Sequence, residues 1–378
     1  MPTPLPSAEQ VLLVPPDATE TAWLGRGVVT AVTAPGGLTE LQQLLVRALF
    51  VSMTGHEIDP TAMEAVGPAE FADGLARRNL EFRTRIVQIM LLCGLVLTPM
   101  PAVVAARLRE FADELGVDDD IIAVAQAYAD GALDLAGTDF ARNGYLASVE
   151  PARLKAVHAS ALNSSWGQVE HDPGLAGRWA QLEQLPVGTI GRGVADFYRD
   201  RGFVYPGLPG SAPPLLAQHD WVHVMAGYGT TVENELEVFG FIARANDDPR
   251  AFSLLAMVVS LFETGYLAAG AGLFTADPGH LNRSGMPVRL ADAMRRGALV
   301  PGSRDFLELD WFELADRPIA VVRAEIGVPP KGPAAVAAGS PGPWQDGGIS
   351  PFQLAAAQRR AQALGRDHTP WRPDASRD

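Results

Sequence analysis

Residues 218–241 read QHDWVHVMAGYGTTVENELEVFGF, and they hold the constellation in this chain best suited to chemistry. His219, Asp220 and His223 fall within five positions, and Glu235 follows after eleven intervening residues. At about 100° per residue, His219, His223 and Asp220 lie at roughly 0°, 40° and 100° of one helix, so all three can lean toward one point. Two neutral imidazoles with one or two carboxylates form a donor set for a divalent ion, zinc first and ferrous iron second. The plainer reading is a helix with two half-buried histidines and Asp220 as a cap. Spacing alone does not choose between them.

The elements around these residues must bring Glu235 back. A straight helix would carry it about 120° round from His223, off the shared face. Gly227 and Gly229 flank Tyr228, and glycine commonly stops a helix. Thr230 with Glu233 then reads as a capping box that starts a second helix. A helix–turn–helix of this kind folds Glu235 over the two imidazoles. Asp220 is either a fourth ligand or a partner that orients an imidazole from behind.

The rest of the chain predicts an all-α fold, because no segment alternates with a strand period over a useful length. Residues 1–36 are proline-rich and weakly periodic, and read as an irregular arm. Residues 37–147 read as a helical bundle. Thr39 with Gln42 makes a capping box there, and Leu41, Leu44, Leu45, Ala48 and Leu49 form an apolar stripe. A single helical reach is expected over residues 69–97, then another helix ended by Gly116. Residues 148–184 link this bundle to the motif region, and residues 148–329 form the second domain. Residues 330–348 read as a Pro/Gly linker. In the remaining tail, Ser350 and Pro351 open one short helix as N-cap and first residue.

Composition narrows the partners. The 378-residue chain is 47% hydrophobic, with 44 acidic against 30 basic residues and a formal charge of −14. That balance argues against nucleic acid and against electrostatic docking on anionic lipid, which leaves apolar contact as the route to a membrane surface. One cysteine, Cys93, fits a reducing compartment. The N-terminal residues lack the basic start and apolar core of a secretion signal, so a cytoplasmic protein, peripheral to the membrane at most, is expected. The apolar stretch 251–274 is long enough to span a bilayer, but its glycines suit a buried helix or the wall of an apolar cleft better. Arg283, Arg289, Arg295 and Arg296 gather near the next helix. They read either as an anion clamp or as a solvated face.

His-Asp-x-x-His, eleven residues, then Glu resembles the signature of the coenzyme Q biosynthesis protein 4 family. LPVGTIGRGVADFY at 185–198 resembles that family's Leu-Pro-x-Gly-Thr-x-Gly-Arg segment. ADAMRRG at 291–297, Leu309-Asp310-Trp311 and Val322-Arg323 to Ile326 resemble its closing helices. The likeness covers about residues 151–329. It implies a helical protein whose His219, Asp220, His223 and Glu235 bind a divalent metal, with His219, His223 and Glu235 carrying any catalysis. It implies activity at C1 of a prenylated aromatic ring in ubiquinone synthesis, by oxidative decarboxylation. Isoprenoid lipid and other quinone-biosynthesis proteins are the partners it suggests, and a homodimer is compatible with it. More loosely, the helix order over 38–145 is similar to the tellurite-resistance TerB-like bundle, some members of which bind metal through acids. The acids here are Glu57, Asp59, Asp118, Asp119, Asp120 and Asp139, for which helix capping is the simpler role.

Two other classes stay open on the sequence. One is a lipid or quinone-precursor carrier with a structural metal. The other is a stress-response metal-binding protein whose N-terminal bundle is the active part.

Overall fold

The computed structural model describes residues 16–97, 100–117, 171–209, 211, 214–246, 255, 280, 283–302 and 304–366. Within these the protein is all-α. Thirteen helices and three short 3-10 turns appear, and pairing of strand type is confined to two isolated bridges, Ala34 with Gly37 and Thr189 with Pro318.

The first helix, α1 (Ala18–Val32), overturns the irregular arm expected over residues 1–36 within its described part, residues 16–36; residues 1–15 lie outside the described residues. Asp17 caps it by accepting from the Glu20 amide at 2.8 Å, and Leu24, Val28, Ala31 and Val32 are buried. Gly25 and Gly27 hid this helix, because glycine reads as a breaker. Gly27 instead admits a neighbour: a Cβ there would lie 2.1 Å from the Phe71 ring. The α2 helix (Glu40–Thr54) starts at the expected capping box of Thr39 and Gln42 and stops at Gly55, which takes the left-handed conformation. The single helix expected over residues 69–97 is two, α3 (Pro68–Gly74) and α4 (Leu80–Leu95). Asn79 breaks the run by accepting from the Phe82 amide at 3.1 Å. Helix α5 (Ala102–Glu114) packs its buried Val104, Leu108 and Phe111 inward, and Gly116 turns the chain after it as expected.

In the second half, α6 (Pro173–Gln181) lies inside the stretch expected to be a link. Its Trp179 is buried in an aromatic cluster with Tyr198, Tyr205, Trp221 and Phe312, which explains its order. Helices α7 (Ile190–Arg201), α8 (Pro214–Ala226) and α9 (Val232–Ala245) carry the motif, and α10 (Met286–Ala298) packs along α9. After α11 (Ile319–Ile326), the residues read as a Pro/Gly linker hold a short helix, α12 (Pro333–Ala337), and a packed segment with buried Trp344. Ser350 then caps α13 (Pro351–Ala363), with Pro351 in its first turn.

The N-terminal helices and the motif helices share one apolar core. Helix α2 packs on α10. Buried Arg85 of α4 donates to the carbonyls of Ala243 and Asn246, at 3.3 and 3.2 Å, at the end of α9. No described helix is long and apolar enough to cross a membrane. Most of residues 251–274 lies outside the described residues, as do Asp118, Asp119, Asp120 and Asp139. Asp59 caps a 3-10 turn by accepting from the Thr61 amide and pairs with Arg47 at 3.4 Å. Burial pushes the Cys93 thiol up, which leaves it an inert core side chain.

Gln42 ties three helices together. Fully buried, it donates to Val32 O at 2.9 Å and Cys93 O at 3.1 Å, and it accepts from the Thr39 amide. Gln42→Ala strips two buried carbonyls of their donor, and should lower unfolding free energy by about 1–3 kcal/mol in urea titrations. An unchanged midpoint would show that these bonds contribute nothing net.

Candidate functional site

Local sequence sets each part of the site. Helix α8 presents His219, Asp220 and His223 on adjoining positions and ends at Gly227, whose φ of 79° only glycine adopts at low cost. The capping box that opens α9 is formed by Thr231 and Asn234, one residue later than the expected Thr230 and Glu233. That shift leaves Glu235 in the first turn of α9, with its amide bonded to Thr231 O at 3.0 Å. The backbone reversal brings Glu235 over the imidazoles, as the spacing suggests.

His219, His223 and Glu235 each offer a ligand atom, and these atoms all lie within 4.8 Å of one another. Glu235 Oε2 sits 3.3 Å from His219 Nε2 and 3.3 Å from His223 Nε2. Phe239 stacks on the His219 ring at 5.0 Å, and Phe197 lies against His223 at 5.5 Å. His223 is fully buried, whereas the His219 side chain keeps 12% of its exposure.

Asp220 stands beside this trio rather than within it. Its Oδ1 is 3.7 Å from His219 Nε2, and its Oδ2 accepts from the Tyr198 hydroxyl at 2.5 Å. Tyr198 belongs to α7, and no spacing in the sequence pointed to it. Nor did any signal pick out Arg201, one turn further along α7, which is wholly buried close enough to Asp220 and Glu235 to feel their charges.

The two acids are driven in opposite directions. Burial works against ionisation of Glu235, but the flanking His223 and His219 imidazoles outweigh it and hold the carboxyl at about 2. Burial raises Asp220, and its imidazole neighbours and the Tyr198 bond only partly offset this. Burial also brings Arg201 down to about 9, against the pull of Asp200, Asp220 and Glu235.

The donor set fits a divalent ion. With metal–ligand bonds of about 2.0–2.1 Å, the donors of a tetrahedral site stand about 3.3–3.4 Å apart. Both His–Glu separations match that edge. His223 Nε2 is buried and, although 3.3 Å from Glu235 Oε2, makes no well-formed hydrogen bond, and a buried ring nitrogen left so is costly unless something binds it. Three protein ligands leave a coordination position open, as catalytic zinc and two-His-one-carboxylate iron sites do.

The four arginines read as an anion clamp or a solvated face each bond to the protein, Arg289 and Arg296 buried and Arg283 and Arg295 half exposed. Arg283 pairs with Glu233, Arg289 with Glu237 at 2.6 Å, and Arg295 with Asp292 at 3.1 Å. Arg296 donates to Ala226 O and Pro329 O, each at 2.9 Å.

No protein-family model and no curated protein matches the chain. Among solved structures, a crystal structure from Nostoc punctiforme PCC 73102, named as a candidate ubiquinone biosynthesis protein, aligns with 65% of this chain and 97% of its own at 20% identity. The TM-score is 0.29, too low for the superposition to carry an argument. Neither this match nor the described helices support the TerB resemblance.

A depressed folded-state carboxyl gives stability that is present above its unfolded value, near 4.5, and lost as pH falls through about 2. Metal-free protein should therefore lose stability between those limits, and Glu235→Gln should flatten that part of the curve. Thermal melts in chelator from pH 5 to 2 measure it. Parallel curves for the two proteins would remove Glu235 as the cause.

Proposed function

We propose that this chain is a metal-dependent protein of the quinone-biosynthesis type, acting at C1 of a prenylated aromatic ring by oxidative decarboxylation. The observation that carries the reading is the meeting of His219 Nε2, His223 Nε2 and Glu235 Oε2. The substrate class comes from the signature those residues resemble. His219, His223 and Glu235 would hold the ion, with zinc the first choice and iron the second. Asp220, held by Tyr198, stands beside the His219 side of the site as a nearby negative charge and is left out of the ligand set.

A divalent ion bound there would polarise a substrate oxygen or activate water or dioxygen. The chain's own side chains prepare that chemistry. Phe197 and Phe239 pack the imidazoles into fixed planes and keep water from their faces. Glu235 stays ionised in a buried setting and supplies charge that an imidazole-only site would lack.

Purified protein should carry about one divalent ion per chain, as a site of this ligand count does. His219→Ala with His223→Ala should remove most of it, and Glu235→Ala should weaken binding and abolish turnover of a prenylated hydroxybenzoate. Helix content should barely change, because the apolar core forms without the ion. Plasma mass spectrometry with circular dichroism on the same samples reads both. Metal content unaltered in the double variant ends the reading. Loss of the fold on chelation recasts the ion as structural and favours a lipid carrier over an enzyme.

A further inference from the structure

The turn between the two ligand-bearing helices is held from outside. Helices α8 and α9 pack on each other far less extensively than α9 packs on α10. Between them, the Gly229 amide donates to Pro341 O at 3.1 Å and the Thr230 amide to Gly348 O at 2.9 Å. Gln353 of α13 donates to Thr230 O at 3.0 Å and accepts from the Thr230 hydroxyl at 2.8 Å. Arg201 joins the same knot, donating to Thr230 Oγ1 at 2.7 Å, Pro343 O at 2.6 Å and Gly348 O at 3.2 Å. Its guanidinium lies 3.8 Å from the centre of the Phe197 ring, which in turn faces His223.

Glycine lets the segments come this close. A Cβ on Gly229 would sit 2.6 Å from Gly348, and one on Gly202 would sit 2.5 Å from the backbone at Ala356 and Ala357. The C-terminal segment is thus fitted against the motif at two separate crossings, with no room for a side chain at either.

We propose that residues 338–357 form a positioning clamp, acting through Gln353 and Arg201 on Gly229 and Thr230 to set the distance of Glu235 from the two imidazoles; this rests on the metal reading above. Thr231, next in the chain, caps α9, and Glu235 lies one turn beyond it. A shift at Thr230 therefore passes directly to the carboxylate, while the histidines stay with α8. Gln353 and Arg201 touch no ligand atom and are positioning residues.

The experiment uses the full-length chain. Cobalt(II) is titrated into Gln353→Ala, Gln353→Glu and Arg201→Lys, and amide exchange at Gly229 and Thr230 is followed in metal-free protein. Partners outside the ligand set commonly account for 10- to 100-fold in metal affinity, so Gln353→Ala should weaken cobalt binding by about that factor. Its two turn amides should lose protection while far-UV circular dichroism holds. Gln353→Glu keeps the bonds accepted from Thr230 and Ser350 and gives up the one donated to Thr230 O, so it should fall between. If Arg201→Lys fails to fold, the Gln353 pair still decides. Faster exchange with unchanged cobalt affinity overturns the clamp alone, as does unchanged exchange. Wild-type protein that takes up no cobalt overturns the metal reading and the clamp with it.

Discussion

Thr230 has its amide, hydroxyl and carbonyl all bonded, and none of those bonds goes to the two helices it joins. A reversal between helices leaves backbone groups that must find partners once buried. Here α7 and the C-terminal segment supply them. The meeting of Glu235 with His219 and His223 follows from that arrangement, because an unbroken helix would carry the carboxylate away.

The opposite constraint acts at the other end of the reversal. The last carbonyls of α8 are taken by cations: Arg296 on Ala226 O, and Arg323 on Met225 O at 2.6 Å and Val224 O at 3.2 Å. Positive charge at a helix C-terminus is favourable, and these guanidinium groups also satisfy carbonyls that would otherwise be buried and bare. Lys331 continues the pattern with bonds to Ser340 O and Pro341 O, and burial lowers its amine to about 8. Of the four arginines that look like an anion clamp when read along the chain, Arg296 is, in three dimensions, one of the groups that fix the histidine helix.

The helical class, the Thr39 and Ser350 caps, the Gly116 and Gly227 stops, and the convergence of His219, His223 and Glu235 were legible because each depends on residues close in sequence. What escaped depends on distant partners. Glycines 25 and 27 argue against a helix until Phe71, 44 residues beyond Gly27, needs the space. Trp344 sits in a Pro/Gly run whose order comes from bonds to Gly229, Thr230 and Arg201, more than a hundred residues earlier. Tyr198 and Asp220 lie on different helices, and no periodicity joins them. Helix capping also misled by one position, since Thr230 and Thr231 offer the same side chain and only tertiary bonds distinguish them.

Gln353 also imposes an order of events on synthesis. It is made 118 residues after Glu235, an interval of roughly 6–24 s at translation rates of about 5–20 residues per second. Throughout that interval the histidine helix and the glutamate helix can both exist on the nascent chain, while Thr230 still lacks its C-terminal partners. The element that secures the turn is therefore made only after both ligand-bearing helices. A message cut short before codon 353 would yield a polypeptide that holds all three ligands yet leaves the turn between them unsecured.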